Sequence, residues 1–266
     1  MIIHPDGDYY SIPYINATAI KAGANSIRHM VALMRKEPEP PTASMVKGSK
    51  MHSYIWSRDD FDRDYLVSDL DFRTKDGKEF LKLNNTTSEH IIKTTELCDL
   101  EQALHNVMAH PEASIFFKEE IDHEKPIYWK DEKLDGAECK AKLDGYTYNY
   151  ILEYKTTSNL NSFVFAAQRL HYNLQFAWYF NAVKQLTGKE IPVYVVVQEN
   201  RMPFDVAVYK VEVYQLKEWL TECYEIADKY LKEKDLPLSR VSGAYPNLMR
   251  FELPNYVEED DLEVEL

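Results

Sequence analysis

The feature that most constrains this chain is an alternation. Over residues 137–144, every second position is Ala, Cys, Ala or Leu, and the positions between are Glu138, Lys140, Lys142 and Asp144. A period of two is the mark of a β-strand with one face in a core and the other carrying charge. Nine residues after Asp144 the sequence reads Glu153-Tyr154-Lys155. There Glu153 and Lys155 point one way, and Tyr150, Leu152 and Tyr154 the other. Two strands this close in sequence are read as a pair, so two carboxylates and a lysine converge. Such a set can hold a hard cation and activate a water. A ladder of cross-strand ion pairs satisfies the same alternation, so the strands alone leave both readings open.

The surrounding sequence divides into helices and further strands. Residues 11–36 read as a helix after a short lead, with Asn16 or Thr18 as its cap. The proline-rich segment Glu37 to Pro41 breaks it. A second helix is expected over 44–57, short strands and polar loops over 66–98, and a helix capped by Asp99 to about His110. A helical turn follows at 113–117. Strands are expected at 127–129, 137–143 and 150–155, with Asp144-Gly145 opening the last connection. A long helix over 162–186 ends at Gly188, a strand pair covers 191–198 and 206–211, and a helix runs over 214–232. This order predicts a mixed α/β core with an N-terminal helical cap. The expected division is one domain over 1–250, with the cap in 11–120 and the core in 121–232. The remaining residues, 251–266, are an acidic tail expected to be disordered.

Composition bears on function mainly by exclusion. An apolar fraction of 45% in 266 residues supplies a packed core. No apolar run is long enough to span a bilayer, and residues 1–10 have no basic segment followed by an apolar one, so no secretion signal is expected. Cys98, Cys139 and Cys223 form no CxxC and cannot build a four-cysteine site, and a reducing cytoplasm is the expected compartment. The net charge of -13 argues superficially against nucleic acid. Six of the acids, however, lie between Glu258 and Glu265, and a metal site concentrates acids by need.

The helix after the charged strands adds a second pattern. Gln168, Tyr172, Gln175 and Tyr179 are spaced four, three and four apart, which places them on one stripe. Amide and phenol groups suit contact with a phosphate backbone or a metal-bound water, where a merely wet helix face would carry Lys and Glu.

Taken in order, Lys142-Leu143-Asp144, Glu153-Tyr154-Lys155 and Gln175-Phe176-Ala177-Trp178-Tyr179 resemble the motifs of the PD-(D/E)XK nuclease superfamily in its RecB-like branch. Lys47-Gly48-Ser49-Lys50-Met51-His52 resembles that branch's Gly-x-x-x-His helix. Residues 15–20, His110-Pro111-Glu112-Ala113 and Pro126-Ile127-Tyr128-Trp129 are similar to the phage-type exonuclease VIII (RecE) family, a distant relative of lambda exonuclease. The similarity covers roughly residues 11–232. The proline of the superfamily's name is absent, since Leu143 precedes Asp144, and the second acid is Glu153 where some members have Asp.

The resemblance implies a restriction-endonuclease-like core, a central mixed sheet flanked by helices. It implies a Mg²⁺-dependent enzyme, with Mn²⁺ as substitute, that degrades linear double-stranded DNA from its 5′ end and leaves 3′ overhangs. His52, Asp144, Glu153 and the backbone carbonyl of Tyr154 would hold the metal. Lys155 would position or activate water, and Gln175 and Tyr179 would orient substrate and Lys155. Thr18, Lys142, Gln168 and Tyr172 are the expected substrate contacts. DNA ends, a single-strand annealing protein and a homo-oligomeric ring are the implied partners, in a bacterial or phage-infected cytoplasm. Two other readings share the fold: a non-catalytic module that binds DNA ends, and a structure-specific endonuclease.

Overall fold

A computed structural model describes residues 1–36 and 42–243 of the chain. The elements run α1 (Ala17–Asn25), α2 (Ile27–Arg35), α3 (Ala43–Trp56), α4 (Arg58–Asp64), β1 (Leu66–Val67), α5 (Lys75–Leu83), β2 (Ile91–Ile92), α6 (Thr94–Ala109) and α7 (Ala113–Phe116). There follow β3 (Asp122–Asp131), β4 (Ala137–Tyr146), β5 (Ile151–Thr157), α8 (Phe163–Arg169), α9 (Tyr172–Thr187), β6 (Val193–Glu199), β7 (Val206–Val211) and α10 (Val213–Glu233). Strands β3 to β7 form one five-stranded sheet in sequence order. Its pairs are antiparallel except β5–β6, which is parallel and is connected through α8 and α9. The fold is therefore a mixed α/β core with a central sheet flanked by helices.

The alternation in β4 sets the sheet's two faces. Cys139, Ala141 and Leu143 are fully buried with Ile15, Ile20, Leu174, Ala177 and Trp178 in a core that also takes in α10. A smaller apolar cluster on Leu152, Tyr154 and Val196 packs against Ile55, Val107 and Phe116. Trp178 lies against Trp129, with ring centroids 5.4 Å apart, and its Nε1 donates to the Lys140 carbonyl at 3.0 Å. Asp131, fully buried, accepts from Trp129 Nε1 and Asn181 Nδ2, each at 3.0 Å, and from the Tyr224 hydroxyl at 3.1 Å. This one carboxylate ties β3, α9 and α10 together, and its burial is tolerable because donors surround it.

Several expectations are corrected. The helix expected over 11–36 is two helices, because Ser26 takes an extended conformation and its hydroxyl caps α2 at His29 N–H. Asn16, not Thr18, caps α1, accepting from Ala19 N–H at 3.1 Å. Helix α5 occupies part of the stretch expected to hold strands and loops, started by Thr74, whose hydroxyl accepts from Gly77 N–H. Helix α6 begins at Thr94, whose N–H is taken by Asp69, so Asp99 lies inside the helix instead of capping it. Asp144 and Gly145 belong to β4, and the turn that follows is organised by the Thr147 hydroxyl accepting from Asn149 and Tyr150 N–H. The long helix over 162–186 is broken by His171, which has φ 53°, so α8 and α9 are separate. Gly188, at φ 73°, does end α9. Lys140, on the charged parity of β4, is not on an open face: it is 4% exposed, and its Nζ donates to the carbonyls of Tyr9 and Ile12, each at 2.6 Å. Glu37 to Pro41 and the tail over 251–266 lie outside the described residues. Among the described residues, no helix is long and apolar enough to cross a membrane.

Candidate active site

The site forms where two strands separate. Strands β4 and β5 pair only at Gly145↔Leu152 and Tyr146↔Ile151, and β5 then continues along β6. Asp144 stands at the parting. Its Oδ2 accepts from Tyr154 N–H at 3.0 Å, so a side chain takes the ladder partner that a neighbouring strand would supply. Burial opposes ionisation of Asp144, but His52, Lys155 and the Tyr154 N–H outweigh it and hold its pKa below the ordinary value.

Glu153 is fully buried one position before Tyr154. Its Oε1 accepts from Lys155 Nζ and from Gln175 Nε2, the latter at 2.7 Å. Its Oε2 is buried without a hydrogen-bond partner. Burial, then the charge of Asp144, push the Glu153 pKa up to about 7 despite Lys155. Burial acts the other way on Lys155, but the Glu153 and Asp144 carboxylates dominate and raise its pKa. Lys155 is therefore an ammonium at neutral pH, a donor and not a proton acceptor. Gln175 Nε2 also donates to the Tyr179 hydroxyl at 3.0 Å, so helix α9 fixes the carboxylate from the sheet's core side.

From the helical cap, α3 brings His52 to Asp144, with Nε2 3.6 Å from Oδ2. That nitrogen is also buried without a hydrogen-bond partner. The ring stacks on Trp56 at 5.6 Å and 12°. Burial disfavours the charged ring, yet Asp144, Glu124 and Glu153 together raise its pKa.

Sequence reasoning missed Glu124. The β3–β4 register runs His123↔Gly145 and Lys125↔Leu143, which sets Glu124 opposite Asp144. Its φ of 48° is exceptional within a strand. Like charges directly opposite are unfavourable, and Lys142 pairs with Glu124. One ligand atom each from His52, Glu124 and Asp144 lie within 4.8 Å of one another. Extending the alternation back from Tyr128 through Pro126 would have reached Glu124. Proline is tolerated there because β3 is an edge strand.

These residues fit a divalent cation. Oxygens of Glu124 and Asp144 converge with the His52 imidazole; Glu153 lies outside that group of three, though its Oε2, like His52 Nε2, is buried without a partner in the protein. The oxygens favour a hard divalent cation over soft metals.

A cleft of about 890 Å³ opens over this set. Its walls include Thr18, His52, Lys142, Asp144, Tyr154, Lys155, Tyr172, Gln175 and Tyr179, and Glu153 lies behind them. Gln168 does not line it, because the break at His171 takes α8 off the stripe of α9. Of the cap's basic residues, Arg35 donates to the carbonyls of Lys234 and Leu236, Lys50 pairs with Glu96, and Arg58 with Asp62. None of these three lines the cleft. Tyr10, Arg63 and Glu124 do, and sequence reasoning had singled out none of them.

Residues 17–236 match the family model described as a PDDEXK-like domain of unknown function (DUF3799). A search of curated proteins gave no match. Among solved structures, the chain is similar to a candidate exonuclease from Eubacterium rectale, with 17% identity, a TM-score of 0.63, and coverage of 99% of this chain and 100% of that one. At that identity the likeness speaks for the fold alone. A phage-related exonuclease from Haemophilus somnus 129PT is matched at 10% identity and a TM-score of 0.32, over 83% of this chain and 96% of that one, too distant to carry an argument.

Proposed function

The chain belongs to this PDDEXK-like family, and on that premise we propose that it is a metal-dependent 5′→3′ exonuclease acting on the ends of linear double-stranded DNA. Its product is a duplex with 3′ single-stranded overhangs, the substrate of strand annealing. The observation that carries the reading is the free, buried Oε2 of Glu153, coupled in charge to Asp144 and Lys155. A structural ion pair has no use for an unpaired buried carboxylate oxygen; a cation ligand does.

Asp144, Glu153 and His52 would hold Mg²⁺, with the Tyr154 carbonyl and Glu124 as further donors. When bound, the ion supplies charge to offset that building on the phosphate and lowers the pKa of a water. Lys155, an ammonium held over the Tyr172 ring at 5.1 Å, donates to the attacking water or to a phosphate oxygen. Gln175 and Tyr179 keep Glu153 in place. Lys142 and Thr18, on the cleft wall, are suited to phosphates of the bound strand. A single-strand annealing protein and a ring of identical chains around the duplex are the partners proposed with this activity, on the resemblance alone.

The test is digestion of linear duplex DNA labelled at either the 5′ or the 3′ end, beside a covalently closed circle, with Mg²⁺ and with EDTA. The 5′ label should be released first, only with metal, and the circle should stay intact. Equal loss of both labels rejects the polarity. Cutting of the circle identifies an endonuclease, and tight binding without cleavage under any divalent metal identifies a recruitment module.

A further inference from the structure

The least explained group near the site is Lys21. It lies on α1, one helical turn after Thr18, and forms no ion pair with any described residue. Its Nζ instead donates to Gln175 Oε1 at 3.0 Å. At the other end of the same amide, Gln175 Nε2 donates to Glu153 Oε1 at 2.7 Å and to the Tyr179 hydroxyl at 3.0 Å.

We propose that Lys21 is a positioning residue of the cation site: it locks the Gln175 amide in the orientation that donates to Glu153, leaving the other Glu153 oxygen free for metal. A primary amide has an acceptor end and a donor end, and an ammonium can face only the acceptor. Reversal would set the amide NH₂ against Lys21 and the amide oxygen against the Glu153 carboxylate. Gln175 is only 6% exposed, so solvent is poorly placed to absorb that mismatch. With the lock in place, Glu153 Oε1 is occupied by Gln175 and Lys155, and Oε2 is the oxygen without a partner.

Keeping a charge at Lys21 is costly, which argues that the contact is maintained for a reason. Burial, and then the charge of Lys155, lower its pKa to about 8. The Tyr172 ring offsets part of this, lying 5.2 Å from Lys21 Nζ and 5.1 Å from Lys155 Nζ. Lys21 acts mainly through Gln175, with a weaker direct attraction to the Glu153 charge, and touches no reacting atom.

The test is a double-mutant cycle on the full chain with Lys21→Met and Gln175→Met. Its first readout is Mn²⁺ affinity by calorimetry, which needs no catalysis. Its second is the kcat and KM of linear duplex digestion, which rests on the proposed function. Lys21→Met should weaken Mn²⁺ binding roughly tenfold, as loss of a group that orients a metal ligand does, and lower kcat with the DNA KM little changed. In the Gln175→Met background the same substitution should have a much smaller effect, limited to the direct attraction between the Lys21 and Glu153 charges. Effects that multiply, or unchanged Mn²⁺ affinity in Lys21→Met, overturn the proposal. Should Lys21→Met fail to fold, Lys21→Arg keeps a donor and should hold Mn²⁺ affinity within about threefold; a tenfold loss in that folded variant overturns it equally. A wild-type protein that binds Mn²⁺ but cuts no DNA fails the nuclease reading and leaves this one open to the calorimetric cycle.

Discussion

Replacing Glu153 by glutamine should make the metal-free protein more stable at pH 8. Glu153 is fully buried, and its pKa stands at about 7 against an ordinary 4.5. That rise, at about 1.4 kcal/mol per pH unit, amounts to about 3 kcal/mol. It already contains the attraction of Lys155, which lowers the value and is outweighed. The sign follows from linkage. A carboxyl whose folded pKa is raised contributes stability that is complete below pH 4.5 and lost as pH rises to about 7. Glutamine keeps the neutral shape at every pH. The two proteins should therefore differ by less than about 1 kcal/mol at pH 5 and by about 3 kcal/mol at pH 8. In a chain of this size that is a Tm difference of roughly 6 to 12 °C. The assay is thermal unfolding of both proteins in EDTA at the two pH values. The difference reads Glu153 together with the neighbours whose charge it supports, Lys155 foremost, while Asp144 stays beside Lys155 in both proteins. Millimolar Mg²⁺ should then raise the Tm of the wild type and not that of the variant. If Glu153→Gln is the less stable protein at pH 8 without metal, the Glu153–Lys155 pair is a stabilising ion pair, and the reasoning that makes it a cation site fails.

Three further substitutions probe other parts of the account. Lys155→Met should lower the single-turnover cleavage rate by roughly 10²- to 10³-fold while DNA binding by filter retention persists; an unimpaired rate removes Lys155 from the chemistry. Gly145→Ala places a Cβ 2.8 Å from Ile121 Cδ1 and 2.9 Å from the Trp56 ring. It should cost about 1–3 kcal/mol in urea unfolding and, by displacing the ring that stacks on His52, weaken Mn²⁺ binding. Asp131→Ala leaves the Trp129 and Asn181 donors facing a void. A loss of about 1–3 kcal/mol for each donor left without a partner is expected in chemical denaturation, with cleavage per folded molecule unchanged, since Asp131 lies outside the cleft.

What could be read in the sequence follows from how local each signal is. The parity of Asp144, Glu153 and Lys155 is a property of neighbouring residues and survives folding. The spacing of Gln175 and Tyr179 does so too, because it lies within one unbroken helix. Gln168 was misplaced because a single left-handed residue, His171, ends α8, and nothing in the apolar spacing signals that break. Ser26 divides the first expected helix by a different route, an extended backbone with a hydroxyl that caps α2. Glu124 was hidden by Pro126, which reads as the end of a strand unless the strand is known to be an edge. Lys21 was invisible for a different reason. Its partner is 154 residues away, and only the packing of α1 against α9 brings them together. Helix α5 is only nine residues long, with its apolar residues Phe80, Leu81 and Leu83 gathered in the second half, and the Thr74 cap marks its start.

The measurement closest to the central claim is the rate of nucleotide release from linear duplex DNA as a function of Mg²⁺, for the wild type and for Glu153→Gln. The account predicts release that rises with Mg²⁺, stops in EDTA and is abolished in the variant, even though the variant's fold is at least as stable. Undiminished release by Glu153→Gln, or release that persists in EDTA, would contradict it.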